Sequence, residues 1–318
     1  MFRNDGSTSI KKDIRFFYYQ ELLKILFLYY IYIKMRWWSR LSMMNIHPTA
    51  VVDEAATLHD KVKISPFCVV GPRVELKMNV TLNPYAIVQG QTVIEEGTSV
   101  HSFACIGTEP QNKKNGLSSR VRIGQRCVIR ENVTINAGTL EDTVVGNDCW
   151  ILTGAHVGHD AQIGNNVVIS NGTQIAGHVK VGEHSVLGGQ SGLQQFCVIG
   201  RGSMISGGSF VDRHVPPYSL VLGNRAQFRG INIRGLRRRQ IPNSHILALI
   251  KASRQVFFTD SSSNVVENAQ LALTKLDPAQ ILENSLAHEF LSFIAEVGKV
   301  QQGWCDRRAA MGIIPPPY

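Results

Sequence analysis

Three histidines fall within 23 residues, His156, His159 and His178, and Asp160 follows the second directly. A neutral imidazole with a pKa near ~6.5 is well suited to taking up a proton near neutral pH, and an adjacent carboxylate can orient or polarise the ring. That set points to general-base chemistry. Zinc ligation is a competing reading, although two histidines three apart plus one further on are no firm zinc signature; plain surface histidines are a third. A second set is Arg213, Arg225, Arg229, Arg234, Arg237, Arg238 and Arg239, with no Asp or Glu between 213 and 240. Guanidinium forks match phosphate oxygens, so this run is either an anion-binding surface or a solvated basic face. Gln194 and Gln195 can hydrogen-bond a polar ligand, and Gly207-Gly208 leave room where larger residues would block a groove; on spacing alone both signals are weak.

What positions these residues is a repeat of six. Anchors run from Ile46 through Val52, Leu58 and onward to Ile106, resume at Ile123, Ile129 and Ile135, and run again from Val145 to Val211. All 26 are Ile, Val or Leu. Four residues after each anchor stands a small or β-branched residue, among them Ala50, Ala56, Val62, Cys68, Ala86, Cys149, Ala155 and Thr173. An amphipathic helix needs apolar residues at 3.6 spacing, which period six does not supply. It is the pattern of a parallel β-helix, three hexapeptides per triangular coil, with coils stacked at about 4.8 Å. One coil is then 18 residues, which stacks Gly177 over His159, sets His178 beside it, and offers the Gly177 N–H to a developing oxyanion. Cys68, Cys127, Cys149 and Cys197 fall in the small inner column and read as buried apolar groups. Breaks at 107–122 and 140–144 must be loops thrown out from the coil, where function often sits.

The fold class expected is therefore an all-β left-handed parallel β-helix over 46–217, followed by a helical domain over 218–318. Asn243 or Ser244 is the expected cap of a helix whose apolar face is Ile246, Leu249, Ile250, Val256 and Phe257. Further helices are expected near 262–275, 278–285 and 286–300. Residues 1–45 read as an extension outside the fold, with Met35, Met43 or Met44 as alternative starts and an organelle presequence as the other reading. The longest uncharged run there, Ile25–Ile33, is nine residues, against the roughly 20 a membrane span needs. The whole chain is 318 residues, 44% hydrophobic and 18% charged, which excludes a disordered or collagen-like protein. A net charge of +9 calls for an acidic partner. Six cysteines with no CxxC pair exclude a disulfide scaffold and a zinc ribbon.

The sequence resembles the acyl-carrier-protein-dependent UDP-N-acetylglucosamine O-acyltransferases, which begin lipid A biosynthesis. The resemblance covers about 46–300. It rests on Ile46-His47-Pro48-Thr49-Ala50, Ile129-Arg130-Glu131-Asn132-Val133-Thr134-Ile135, Ala155-His156-Val157-Gly158-His159-Asp160, Ala176-Gly177-His178, Gln195-Phe196-Cys197, Val215-Pro216-Pro217-Tyr218, Gly223-Asn224, Gly230-Ile231-Asn232-Ile233 and Gly235-Leu236-Arg237-Arg238. It implies a cytoplasmic homotrimer with sites between neighbouring β-helices, moving a (3-hydroxy)acyl group from acyl-carrier protein to the sugar 3-hydroxyl. It implies His159 as general base, Asp160 as its partner and the Gly177 N–H as oxyanion donor. His156, His178, Gln195, Asn232 and Arg238 would contact sugar, diphosphate or acyl groups, with Gln111 and Lys114 facing donor or nucleotide and Gly207 lining the acyl groove. No cofactor, metal, nucleic acid or membrane span is expected. The chain departs from the family pattern at Gln194 (usually His), Ala137 (usually Arg), Asn112 (usually Asp) and Arg234 (commonly acidic), which bears on the sugar, N-acetylglucosamine or its 3-amino analogue, and on acyl length. The alternatives are a related N-acyltransferase of the same pathway, a hexapeptide carbonic anhydrase and a non-catalytic scaffold.

Overall fold

The computed structural model of the chain describes residues 24–29, 45–112, 119–258, 264–276 and 285–297. Two compact units divide the chain, Met1–Ile46 and His47–Tyr318. In the first, residues 24–29 are helical and expose Ile25, Leu26, Phe27, Leu28 and Tyr29. The expectations of a presequence, of alternative starts, of a helix at 278–285 and of a role for Lys114 lie outside the described residues. Among the described residues no helix is long and apolar enough to cross a membrane.

In the second unit the hexapeptides become strands of two to four residues, each ending on or enclosing an anchor. They stack into three parallel sheets that form a left-handed β-helix. Partners lie 18 residues apart: Trp150–Ile151 pairs with Val168–Ile169, and that with Val186–Leu187. The offset is larger in two places: Ser99 pairs with Val128, and Val128 with Trp150. There the insertions leave the coil. The first is shorter than the broken pattern suggests, 109–120, and the second begins and ends earlier, 137–142, because Thr108 still pairs with Asn136 and Val121 with Thr143.

From Ile64 onward the anchors are buried, each contributing roughly 1.5–3 kcal/mol. The small inner column does more than fill space. Cys127 Sγ donates to the Gly146 carbonyl at 3.1 Å, Cys149 Sγ to Gly164 at 3.1 Å and Thr173 Oγ1 to Gly188 at 3.1 Å, so this column also ties each coil to the next. Burial pushes the Cys197 thiol up to about 12, far from a reactive thiolate.

The corners turn through left-handed backbone, and many carry side chains rather than glycine, including Phe67 at φ 60°, Tyr85 at 65° and Phe103 at 62°. That conformation costs roughly 1–2 kcal/mol per residue. At these three the rings stack at 5.0 Å centroid spacing, which offsets about 0.5–1.5 kcal/mol per pair.

The chain stays in β-structure past Pro217. Ser219–Leu222 extends the first sheet in parallel beside Met204–Ile205, and Gln227–Ile231 folds back antiparallel on it. Four helices follow among the described residues: α1 (Ile233–Arg238), α2 (Asn243–Phe257), α3 (Val265–Thr274) and α4 (Ser285–Val297). The hairpin and α1 were not expected from the sequence. Asn243 is the first residue of α2, and the cap position falls to Pro242 with no side-chain cap bond, so neither Asn243 nor Ser244 caps it. Ile246, Leu249, Val256 and Phe257 are buried as expected, with Ile250 half-buried. They share one core with Tyr218, Phe228 and Phe290.

Candidate active site

The site lies on the second sheet, where His156–Val157, Gln174–Ile175, Gly192–Leu193 and Phe210–Val211 stack in successive coils. Register places His156, Gln174, Gly192 and Phe210 in one column. The position after each anchor forms a second column, Asn136, Gly158, Ala176 and Gln194, and the next a third, His159, Gly177 and Gln195. These columns, with Gln111, Ile175 and Leu193, line a groove of about 450 Å³.

His159 is 5% exposed, and its ring lies across Gly177. A Cβ on Gly177 would fall 2.5 Å from the ring's Cε1, so glycine there is what lets the imidazole lie flat against the next coil. Nδ1 meets Asp160 Oδ2 at 2.6 Å. Nδ1–H donating to the carboxylate leaves the lone pair on Nε2 for the groove. The Gly177 N–H donates to no acceptor among the described residues.

The second insertion is wrapped around Asp160. The carboxylate accepts from the backbone N–H groups of Thr139 at 3.0 Å, Leu140 at 2.8 Å and Glu141 at 2.7 Å, and from Thr139 Oγ1 at 2.7 Å. Successive N–H groups turned to one point form an anion nest. Gly138 makes the tight turn possible, since a Cβ there would overlap the Glu141 carbonyl at 1.7 Å. Burial pushes the Asp160 carboxyl up, but the Glu141 N–H, His159, Thr139 and Leu140 outweigh it and hold it well below the usual carboxylate range. The insertion that the sequence marks only as a break is thus the device that keeps the carboxylate ionised.

His178 stands edge-on to His159 at 5.0 Å, stacks on Phe196 at 4.7 Å and approaches Asp160 at 3.7 Å. His156 bonds Thr134 through Nδ1 at 2.8 Å, and burial, then the proximity of His159, lowers its pKa. Ligand atoms of His159, Asp160 and His178 lie within 4.8 Å of one another. That is compact enough for an ion, but the Asp160 oxygens are already engaged by five donors, which argues against the zinc reading.

One chain thus brings together His156, His159, Asp160, Gly177, His178, Gln195 and Gln111. It does not bring Asn232, Arg238 or Gly207 to this groove. Asn232 caps α1, accepting from Gly235 N at 3.0 Å and donating to Gly202 O at 3.0 Å. The arginine run is divided: Arg213 is buried, Arg225 pairs with Asp212 at 3.3 Å, and Arg239 lies over the Tyr218 ring at 6.0 Å. Arg229, Arg234, Arg237 and Arg238 are exposed. Sequence reasoning missed Asn136, Gln174 and Phe210, although the 18-residue spacing relates Gln174, Gly192 and Phe210 to His156. Phe210 leans over Gly192, where a Cβ would meet its Cδ2 at 2.9 Å, and walls one end of the groove.

Comparisons agree with this architecture. Residues 214–305 match the family described as "Udp N-acetylglucosamine O-acyltransferase; Domain 2", and 142–177 match "Bacterial transferase hexapeptide (six repeats)". The acyl-[acyl-carrier-protein]–UDP-N-acetylglucosamine O-acyltransferase of Chlamydia caviae is 47% identical over 223 residues, covering 69% of this chain and 80% of that one. The protein of the same name from Verminephrobacter eiseniae is 34% identical over 254 residues, 79% of this chain and 97% of that one. Among solved structures, the UDP-N-acetylglucosamine acyltransferase of Campylobacter jejuni superposes with a TM-score of 0.75 at 32% identity, covering 83% of this chain and 100% of that one. The Arabidopsis UDP-N-acetylglucosamine acyltransferase gives 0.71 at 30% identity, covering 82% and 100%.

Proposed function

The chain belongs to the UDP-N-acetylglucosamine O-acyltransferases, and on that premise we propose that it transfers a 3-hydroxyacyl group from acyl-carrier protein to the 3-hydroxyl of UDP-N-acetylglucosamine, the first step of lipid A biosynthesis. The observation that carries this reading is the His159–Asp160 pair, 2.6 Å apart, set in a groove beside the Gly177 N–H.

In the proposed reaction His159 Nε2 takes the proton of the sugar hydroxyl as its oxygen attacks the thioester carbonyl. Asp160 holds the ring in the required tautomer and offsets the charge of the imidazolium. The Gly177 N–H donates to the tetrahedral oxyanion. Collapse breaks the carbon–sulfur bond, and the imidazolium returns its proton to the departing thiolate. His156, His178 and Gln195 are proposed to hold the reactants from the groove walls.

Asn232, Arg238 and Gly207 lie away from this groove within one chain, which supports a homotrimer whose sites are completed by a neighbouring chain. The exposed Arg229, Arg234, Arg237 and Arg238 suit an acidic carrier protein and a diphosphate. A cytoplasmic location is part of the same proposal. The test uses the purified full chain with 3-hydroxyacyl-carrier protein and either UDP-N-acetylglucosamine or its 3-amino analogue. Ester formation on the first sugar is expected. Transfer only to the amino sugar would move the reading to an N-acyltransferase, and transfer to neither would remove it.

A further inference from the structure

Asn136 closes the strand Thr134–Asn136 and is 3% exposed. Its Nδ2 donates to Thr108 Oγ1 at 2.7 Å, which fixes the plane of the amide. Its Oδ1 is buried and accepts no hydrogen bond among the described residues. Yet the residue lines the groove, one coil before Gly158. A buried acceptor left open is costly and uncommon in native structures. The next members of its column cannot satisfy it, since Gly158 and Ala176 carry no polar side chain, and the nearby His156 Nδ1 is engaged with Thr134. The half-finished bonding of a rigidly held amide, at the wall of a reactant groove, is what a binding contact looks like before its ligand arrives.

We propose that Asn136 Oδ1 binds substrate, accepting a hydrogen bond from an O–H or N–H of a bound reactant. This rests on the acyltransferase reading. Two groups have the required chemistry: a hydroxyl or acetamido N–H of the nucleotide sugar, and the 3-hydroxyl of the donor acyl chain. Because Asn136 sits outside the His159–Asp160 pair, its loss should weaken capture rather than chemistry.

The test compares wild type with Asn136→Leu, which keeps the branched outline of the side chain without its polar atoms, and Asn136→Ala, which keeps the groove open should the larger Leu disturb the coil. KM and kcat are measured for UDP-N-acetylglucosamine and for 3-hydroxyacyl and unhydroxylated donors of equal length. Binding of UDP-N-acetylglucosamine alone is measured by calorimetry, and Tm for each variant. If the sugar supplies the donor group, its KM and Kd rise about tenfold while kcat stays within about threefold. If the acyl 3-hydroxyl supplies it, the preference for hydroxylated over unhydroxylated donor collapses by about tenfold, with sugar binding unchanged. Folded variants with unchanged KM for both reactants and unchanged donor preference would overturn the proposal. A wild type that binds the sugar but transfers nothing would instead sink the functional reading, and the calorimetric comparison would still decide whether Asn136 holds the sugar.

Discussion

At the scale of residues, His159 and Asp160 have separable duties. His159→Ala should lower turnover by about 10²–10⁴. The variant should still fold, because the ring packs between coils outside the aliphatic interior, with a lower Tm from the lost bond to Asp160. A variant with near-wild-type turnover would end the general-base assignment. Asp160→Asn should lower turnover too, by spoiling the tautomer, and should also lower stability, because the 139–141 nest is built for a carboxylate. The sign of its pH dependence follows from the downward shift. The native carboxyl lies below the unfolded value of about 3.9, so its contribution is fully present above that pH and lost as the pH falls through the native pKa. The Tm gap between wild type and Asp160→Asn should therefore be wide at neutral pH and close progressively below about pH 4; a constant gap would show that the nest stabilises by shape alone. His156 acts in the same direction at higher pH: its pKa is lowered by burial and then by His159, so folding disfavours its protonation and acidification below about pH 6.5 also works against the native state.

At the scale of elements, the coils were legible because inward packing repeats. Each anchor and each small residue meets the same constraint every six positions, so the sequence shows the period without any structure. The hairpin at 219–231 was not legible, since Pro216-Pro217 ends the period while backbone pairing continues. The nest around Asp160 was hidden for a related reason. Three main-chain N–H groups do the work, and main chain leaves no mark in residue types. Asn232 shows the opposite limit: the resemblance gives it a ligand role, whereas within one chain its side chain caps α1. Gly207 remains a proposal of this scale. Its φ is not in the left-handed region, and a Cβ would meet Gly189 O at 3.2 Å, so Gly207→Met should fold after a shift of a few tenths of an ångström. If the acyl tail passes that corner, the variant should favour shorter donors, each excluded methylene costing ~0.8 kcal/mol. A folded variant with the wild-type chain-length profile would remove Gly207 from the groove.

At the scale of the whole solenoid, the two ends of the coil differ. Near the start Val51 is 65% exposed and Val52 and Leu58 are only half-buried. The far end is closed by the hairpin and helices, and Arg201 of the coil reaches Glu289 of α4 at 2.6 Å while the Tyr218 hydroxyl donates to the same carboxylate. Local opening should follow that difference. Amide hydrogen exchange is expected to be fastest over 51–60 and slowest over the coils from Val145 to Ile205; uniform protection along the coil would contradict it. The unequal register offsets carry a different consequence. A stack of near-identical 18-residue coils can misthread by one whole coil and still bury its aliphatic residues, a degeneracy that leaves folding without a unique answer. The steps from Ser99 to Val128 and from Val128 to Trp150 break that translational symmetry. They serve as registration marks: a chain that skips a coil there must either stretch an insertion into the ladder or strand Asp160 away from its nest, so the correct threading is the one that also assembles the carboxylate.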